Sequence, residues 1–176
     1  MSAEARSGDP VEVLLALGSN LGDRHQHLRG AIQALERVGQ ILGVSAVYET
    51  EPVGYAAQDS YLNAALRLRT KLGPLRLLVW CKGLEFAAGR RPGIPLGPRP
   101  LDVDLVAYGE LTLTSPRLTI PHPRFAERPF MLAPLADVAP DTVVPRQHEP
   151  LRVLDRRLGR TGVWPVSGAE ALWRGQ

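Results

Sequence analysis

Asp102 and Asp104 are separated by one valine in a stretch that alternates apolar and polar residues. In a strand, residues two apart share a face, with Cα atoms roughly 6–7 Å apart. Two carboxylates that close repel unless a cation lies between them. Mg²⁺ suits such a pair, because it takes oxygen ligands and leaves its other positions to water and phosphate oxygens. A bare D-x-D is unspecific, since it also fits a solvated polar face on an edge strand. The preceding residues sharpen it. Arg90, Arg91 and Arg99 fall between Phe86 and Leu101 with no acid among them. Guanidinium groups beside a dicarboxylate place cations on both sides of a polyphosphate, which is what phosphoryl transfer needs.

Tyr61 and Asn63 form a second constellation. Leu62, Ala64, Leu66 and Leu68 fall on one strand face; Tyr61, Asn63, Ala65, Arg67 and Arg69 fall on the other. The spacing predicts a half-buried strand whose second face is polar. Asn carries a donor and an acceptor and matches the amide-like edge of a heterocycle. Tyr61 offers a plane for stacking, and Phe130 is a further aromatic beside a loop. Core packing accounts for each of them singly, so only the group points to a planar aromatic ligand. His122 sits between Pro121 and Pro123, which hold its backbone extended. A lone histidine is as a rule structural. Residues 18–23, GSNLGD, resemble a phosphate loop only superficially, because the Lys-Ser/Thr ending is missing.

These side chains need a frame. Residues 11–17 read as a buried strand ended by the Gly18-Ser19-Asn20 turn. Leu28, Ile32, Leu35 and Val38 recur at helical spacing, with Gly39 just past the end. Residues 41–48 predict one further strand, and 49–60, with Pro52 and Gly54, a loop. Gly73-Pro74 opens a second helix, with Leu77, Cys81, Leu84 and Ala88 as its buried stripe. Three glycines and four prolines exclude regular structure in residues 89–100. Residues 101–108 predict the strand that carries both aspartates, 110–113 a short strand, 116–129 a loop and 130–138 a short helix. Residues 139–176 carry weak pattern and are assigned loosely, with Trp164 and Trp173 expected to pack on the sheet. Helices and strands mix without regular strand–helix–strand alternation, which predicts an α+β fold.

A chain of 176 residues suits one globular domain, expected over residues 11–176 after a disordered polar leader, residues 1–10. Apolar residues make up 44% and charged residues 22%, which argues against disorder along the whole length. The single cysteine, Cys81, excludes an intramolecular disulfide and a Cys-rich zinc site and fits a reducing compartment. No apolar run reaches the length of a membrane span, and the leader lacks the apolar core of a secretory signal. The expected location is cytoplasmic. The net charge of +3 lies in the tail, since residues 146–176 hold six arginines against three acids. The remainder is balanced, so phosphate recognition falls to local arginines and no nucleic-acid partner is expected.

Four segments carry a resemblance: LALGSNLGDR at 15–24, YETEPVG at 48–54 with YLNAAL at 61–66, GPRPLDVDLVAYG at 97–109, and RLTIPHPRFAERPFMLAPLADVAP at 117–140. In this order and spacing they make the chain, from about residue 13 to residue 140, resemble the 6-hydroxymethyl-7,8-dihydropterin pyrophosphokinases of folate biosynthesis. The resemblance implies a ferredoxin-like α/β/α sandwich with a central antiparallel sheet and mobile catalytic loops. It implies that pyrophosphate passes from ATP to the 6-hydroxymethyl oxygen of the pterin, and that AMP leaves. Two Mg²⁺ ions would be held by Asp102 and Asp104, beside the catalytic arginines Arg90 and Arg99. The pterin would lie between Tyr61 and Phe130, its polar edge against Asn63 and the backbone around Thr50, Pro52 and Val53. ATP contacts would fall to Glu85, Arg91, Leu105, Arg117, Thr119, His122 and Arg128. Small-molecule substrates and a monomer are implied as well. Three features depart from the family pattern. The arginine loop is one residue short, Leu96 replaces a tryptophan, and Pro123 replaces a tyrosine. They leave open a non-catalytic pterin- or nucleotide-binding homologue. A D-x-D transferase acting on a nucleotide-sugar is disfavoured by YLNAAL and RPFMLAPL.

Overall fold

An almost unbroken apolar run makes β1 (Val11–Ser19), buried on both faces from Val13 onward. Asp23 caps the next helix, its carboxylate accepting from the Gln26 N–H at 2.9 Å. This helix, α1 (Arg24–Leu35), buries Leu28, Ala31, Ile32 and Leu35. The single strand expected over 41–48 is two strands, β2 (Gly39–Val44) and β3 (Tyr48–Thr50). Both lie along one edge of β4 (Tyr61–Thr70). At the break between them Ser45 keeps contact with that edge. Its N–H donates to the Ala65 carbonyl at 2.9 Å and its Oγ accepts from the Ala65 N–H at 2.8 Å. Gly39 is needed where β2 meets β4, because a Cβ there would stand 2.5 Å from the Arg69 carbonyl oxygen.

Proline at its first position starts α2 (Pro74–Ala87). It leads through the arginine loop to β5 (Asp102–Tyr108). A hairpin of β6 (Leu113–Thr114) and β7 (Thr119–Ile120) follows, starting later than the strand expected at 110–113. A 3₁₀ turn at Phe125–Glu127 leads into α3 (Pro129–Val138). The weakly patterned tail contributes α4 (Leu151–Leu158) and β8 (Val163–Pro165). The structure, a computed structural model, describes residues 8–52, 57–93, 95–166 and 172, so most of the expected leader lies outside the described residues.

Strand order in the main sheet is β5-β1-β4-β3-β8, with β2 continuing the β3 edge, and every pairing is antiparallel. The run β1, α1, β2 with β3, β4, α2, β5 is the ferredoxin-like arrangement. On one face α1 and α2 pack Leu28, Ile32, Leu77 and Cys81 against Leu15, Leu17, Leu66 and Val103. On the other, α3 and α4 pack Met131, Leu135, Leu151 and Leu154 against Leu14, Ala16, Ala65 and Val106. The expected α/β/α sandwich is what forms.

Two expectations need correction. The second face of β4 is polar and open only toward its far end, where Arg67 is half-buried and Arg69 exposed. Asn63 and Ala65 are as buried as the leucines, because β4 lies between two layers of helix. Trp164 does not pack on the sheet. It stands on the edge strand β8 and is 50% exposed; Trp173 lies outside the described residues. Among the described residues no helix is long and apolar enough to cross a membrane.

Candidate active site

Sheet register assembles the site. Asp102 of β5 pairs with Gly18 of β1, Gly18 pairs with Asn63 of β4, and Asn63 pairs with Tyr48 of β3. Directly paired residues point to the same side, and neighbouring strands lie about 4.8 Å apart. The row therefore sets the carboxylate of Asp102 about 10 Å across the sheet from the amide of Asn63. Asp104 lies one step along, opposite Ala16. Between the two ends the row carries no side chain. A Cβ on Gly18 would come within 3.2 Å of Asn63 Oδ1 and 3.6 Å of the Tyr61 ring. Glycine thus makes the floor of a cleft of about 180 Å³, walled by Tyr61, Thr50 and Phe130 on one side and by Asp102, Asp104 and Arg99 on the other.

The carboxylate end is strongly charged. Asp102 is ion-paired to Arg90 at 2.7 Å and to Arg99 at 3.2 Å. Glu85 lies beneath them on α2, only 2% exposed. Its burial is possible because Lys82, Arg90 and the Val103 N–H all donate to it, the last at 2.8 Å. Arg90 so bridges the helix carboxylate to the strand carboxylate. Asp104 differs from Asp102. No hydrogen bond or ion pair reaches its carboxylate among the described residues. Burial first, and then the charge of Asp102, push its pKa above the usual carboxylate range. His122, half-buried nearby, is shifted down by burial, against the pull of Asp104. Its N–H donates to the Val106 carbonyl at 2.8 Å, which ties it to β5.

This donor set fits Mg²⁺. Asp104 is a carboxylate raised in proton affinity by burial and by the charge of Asp102, facing the cleft beside that second carboxylate. Among the described residues no three His, Cys, Asp or Glu side chains converge as a metal site. A cation held here would take its remaining ligands from substrate and water, as Mg²⁺ does in phosphate sites.

The other end suits a flat heteroaromatic ring. Asn63 is 5% exposed, and its Nδ2 donates to Thr50 Oγ1 at 2.6 Å, which fixes which way the amide faces. Burial, followed by the charge of Asp102, raises the Tyr61 pKa and keeps it a neutral phenol. Phe130 stands at the start of α3, with the Arg128 guanidinium 5.7 Å from its ring centre.

The remaining expected residues divide. A second cleft of about 500 Å³ beside the first gathers Glu85, Arg90, Arg91 and Arg99. Arg91 faces away from the carboxylates: its guanidinium lies 4.3 Å over the Phe86 ring and donates to the Phe86 and Arg90 carbonyls. Leu96 walls the first cleft in a left-handed conformation, φ 59°, its carbonyl accepting from Gln58. Arg128 lines the first cleft. Leu105 is buried in the core on the α1 and α2 side. Arg117 stands exposed at the hairpin turn, and Thr119 is half-buried on β7. Pro52, Arg117, Thr119 and His122 line neither cleft, and Val53 lies outside the described residues.

Residues 18–23, read from sequence as only a turn, hold the site together. Asn20 is 1% exposed. Its N–H donates to the Arg99 carbonyl at 3.1 Å, and its Oδ1 accepts from the Arg99 N–H at 2.8 Å. Its Nδ2 donates to Gln58 and to the Asp59 carbonyl. One amide thereby joins the end of β1, the base of the arginine loop and the segment before β4. Its partners are 38 to 79 residues away, so local pattern could not disclose the role. Gly18, Lys82 and Arg124 were likewise not anticipated; Arg124 also lines the first cleft.

Residues 14–140 match the family described as 7,8-dihydro-6-hydroxymethylpterin-pyrophosphokinase (HPPK). The chain belongs to this family. The 2-amino-4-hydroxy-6-hydroxymethyldihydropteridine pyrophosphokinase of Bacillus subtilis is 40% identical over 126 residues, 70% of this chain and 75% of that protein. A mitochondrial folate synthesis bifunctional protein of Arabidopsis thaliana is 48% identical over 128 residues, 72% of this chain and 23% of that protein. The chain thus spans about a quarter of the length of the folate synthesis bifunctional proteins it matches. Among solved structures, a Plasmodium falciparum HPPK-DHPS crystal structure superposes with a TM-score of 0.69 at 14% identity, covering 87% of this chain and 46% of that one. That likeness establishes the fold.

Proposed function

We propose that this chain transfers pyrophosphate from ATP to the 6-hydroxymethyl oxygen of 6-hydroxymethyl-7,8-dihydropterin, releasing AMP, as a step of folate synthesis. The carrying observation is the row from Asp102 through Gly18 to Asn63, which sets two carboxylates and an amide flanked by aromatic rings at opposite ends of one cleft. Asn63 and Thr50 meet the polar edge of the pterin, and Tyr61 and Phe130 lie against its faces. The hydroxymethyl group then points along the glycine floor toward Asp102 and Asp104. Its oxygen gives up the hydroxyl proton to solvent and bonds to the β-phosphorus as the bond from that phosphorus to the α,β-bridging oxygen breaks. The bridging oxygen leaves with AMP.

The protein's part is positioning and charge. Asp102 and Asp104 would hold Mg²⁺, two ions in this proposal, which screen the triphosphate and orient its oxygens when bound. Arg99 and Arg90, already turned to Asp102, are placed to move to phosphate oxygens when ATP arrives. Closure of the arginine loop over the nucleotide would exclude water from the reacting atoms. The deciding assay supplies fresh hydroxymethyldihydropterin, ATP and Mg²⁺ and measures AMP. Stoichiometric AMP and pterin diphosphate are expected; binding of both substrates without AMP would overturn the proposal.

A further inference from the structure

The family match ends at residue 140, yet Arg160 beyond it reaches back to the strand beside the ring-lined end of the cleft. Arg160, after α4, donates to three groups. Its Nε and one terminal nitrogen bond Asp155 at 3.0 and 2.8 Å. Its other terminal nitrogen donates to the Tyr48 hydroxyl at 2.8 Å. A longer contact of 3.3 Å reaches Asp137. The Tyr48 hydroxyl in turn donates to Asp137 at 2.7 Å. Tyr48 belongs to β3, Asp137 to α3 and Asp155 to α4, so one guanidinium fork ties three elements.

The fork lies next to the pocket wall. Tyr48 is 4% exposed and pairs directly with Asn63. Its ring packs with Ala133 and Val163, and Phe130 leans on that cluster. Asp137 closes the helix whose first turn carries Phe130. The hydrogen bonds to Asp155 and the neighbouring acids keep Arg160 charged, and burial with the Asp137 bond lifts the Tyr48 phenol to about 12. At ordinary pH Arg160 is therefore charged and Tyr48 a neutral phenol. Without the guanidinium, Asp137 and the buried Asp155 would face each other with one neutral phenol between them.

We propose that Arg160 is a positioning residue for the pterin pocket, setting the separation of Phe130 from β3 through Tyr48 and Asp137. The inference rests on the pterin reading of the cleft. It makes the tail beyond the family match part of substrate recognition.

The test compares Arg160→Gln, Arg160→Lys and Tyr48→Phe with the unaltered protein. Calorimetry with 6-hydroxymethylpterin and with a non-hydrolysable ATP analogue gives both dissociation constants, and AMP release gives kcat. Arg160→Gln is expected to weaken pterin binding about tenfold and to leave ATP-analogue binding within about twofold. Arg160→Lys should recover part of the loss, because it keeps the charge without the fork. Tyr48→Phe should weaken pterin binding by a smaller factor, and adding it to Arg160→Gln should cost little more. Unchanged pterin affinity in folded Arg160→Gln would overturn the proposal, as would equal weakening of both ligands. If Arg160→Gln does not fold, unchanged pterin affinity in Tyr48→Phe overturns it alone. An unaltered protein that binds pterin but releases no AMP would sink the catalytic reading and leave this one standing. Absence of pterin binding would end both.

Discussion

Asp102 and Arg99 are three residues apart, yet their backbones are held in different ways. Asp102 begins a strand whose register against β1 places it opposite Gly18. The loop before it is tied at its two ends. Arg90 N–H donates to the Glu85 carbonyl, and Arg99 pairs with Asn20 through two hydrogen bonds. Between residues 91 and 98 no backbone-to-backbone hydrogen bond occurs among the described residues. The negative charge of the site is thus built on the sheet, and the positive charge hangs from a span held at its ends. The two arginines on Asp102 are those end residues; Arg91 belongs to the span between them, which among the described residues only side-chain contacts hold, Arg91 over Phe86 and Gln58 on the Leu96 carbonyl.

Breaking the sheet-borne half should have the largest effect. Asp104→Asn keeps the shape of the side chain and removes its charge, and turnover should fall by roughly 10³-fold with pterin binding retained. AMP release and calorimetry read the two separately, and a small loss would mean that the carboxylates are not the cation site. Arg99→Ala probes the loop-borne half. It should lower kcat by roughly 10²-fold and ATP affinity much less, since contacts that strengthen late favour the transition state. Lost ATP affinity with unchanged kcat would reverse that assignment.

The joint between the halves comes next. Asn20→Ala leaves the Arg99 N–H and the Asp59 carbonyl without their partner, and should cost about 2 kcal/mol in urea unfolding. A fall in kcat of several-fold should accompany it, by way of the displaced Arg99. The smallest effect is expected far from the charges, at Glu49. Hydrogen bonds from Ser60 and then Arg24 hold its carboxyl below the usual range. A carboxyl lowered on folding contributes stability above its unfolded value and loses it as pH falls through the folded one. Glu49→Gln should flatten the acid side of the Tm-versus-pH curve slightly, because the carboxylate is partly exposed and its pairing screened by solvent. An unchanged acid side would show that this pairing adds nothing.

Much of the site was legible because it uses period two. Asp102 with Asp104 and Tyr61 with Asn63 each share a face, and each pair stands where alternation placed it. The loop's arginines were legible because glycine and proline leave no other structure for residues 89–100. Joints were less legible. The helix stripe was expected to run through Leu84 and Ala88, but Glu85 takes the buried place, since three donors from elsewhere meet it. The break between β2 and β3 turns on Ser45 bonding to Ala65, a contact across two strands. β8 has three residues and one buried side chain, too few for any period to be read. Asn20 and Arg160 act over distances in sequence that no local pattern spans.

Cys81 sits at 0% exposure between α2 and the sheet, with its thiol pushed up to about 12 by burial. It is the chain's one cysteine. In the closed fold it offers alkylating reagents neither access nor thiolate. Its labelling rate therefore reports how often the α2 layer opens, weighted by the reactivity of a free thiol. Because α2 leads directly into the arginine loop, the same clock can be read with and without ATP. The chain thus carries its own stopwatch for the loop closure proposed above.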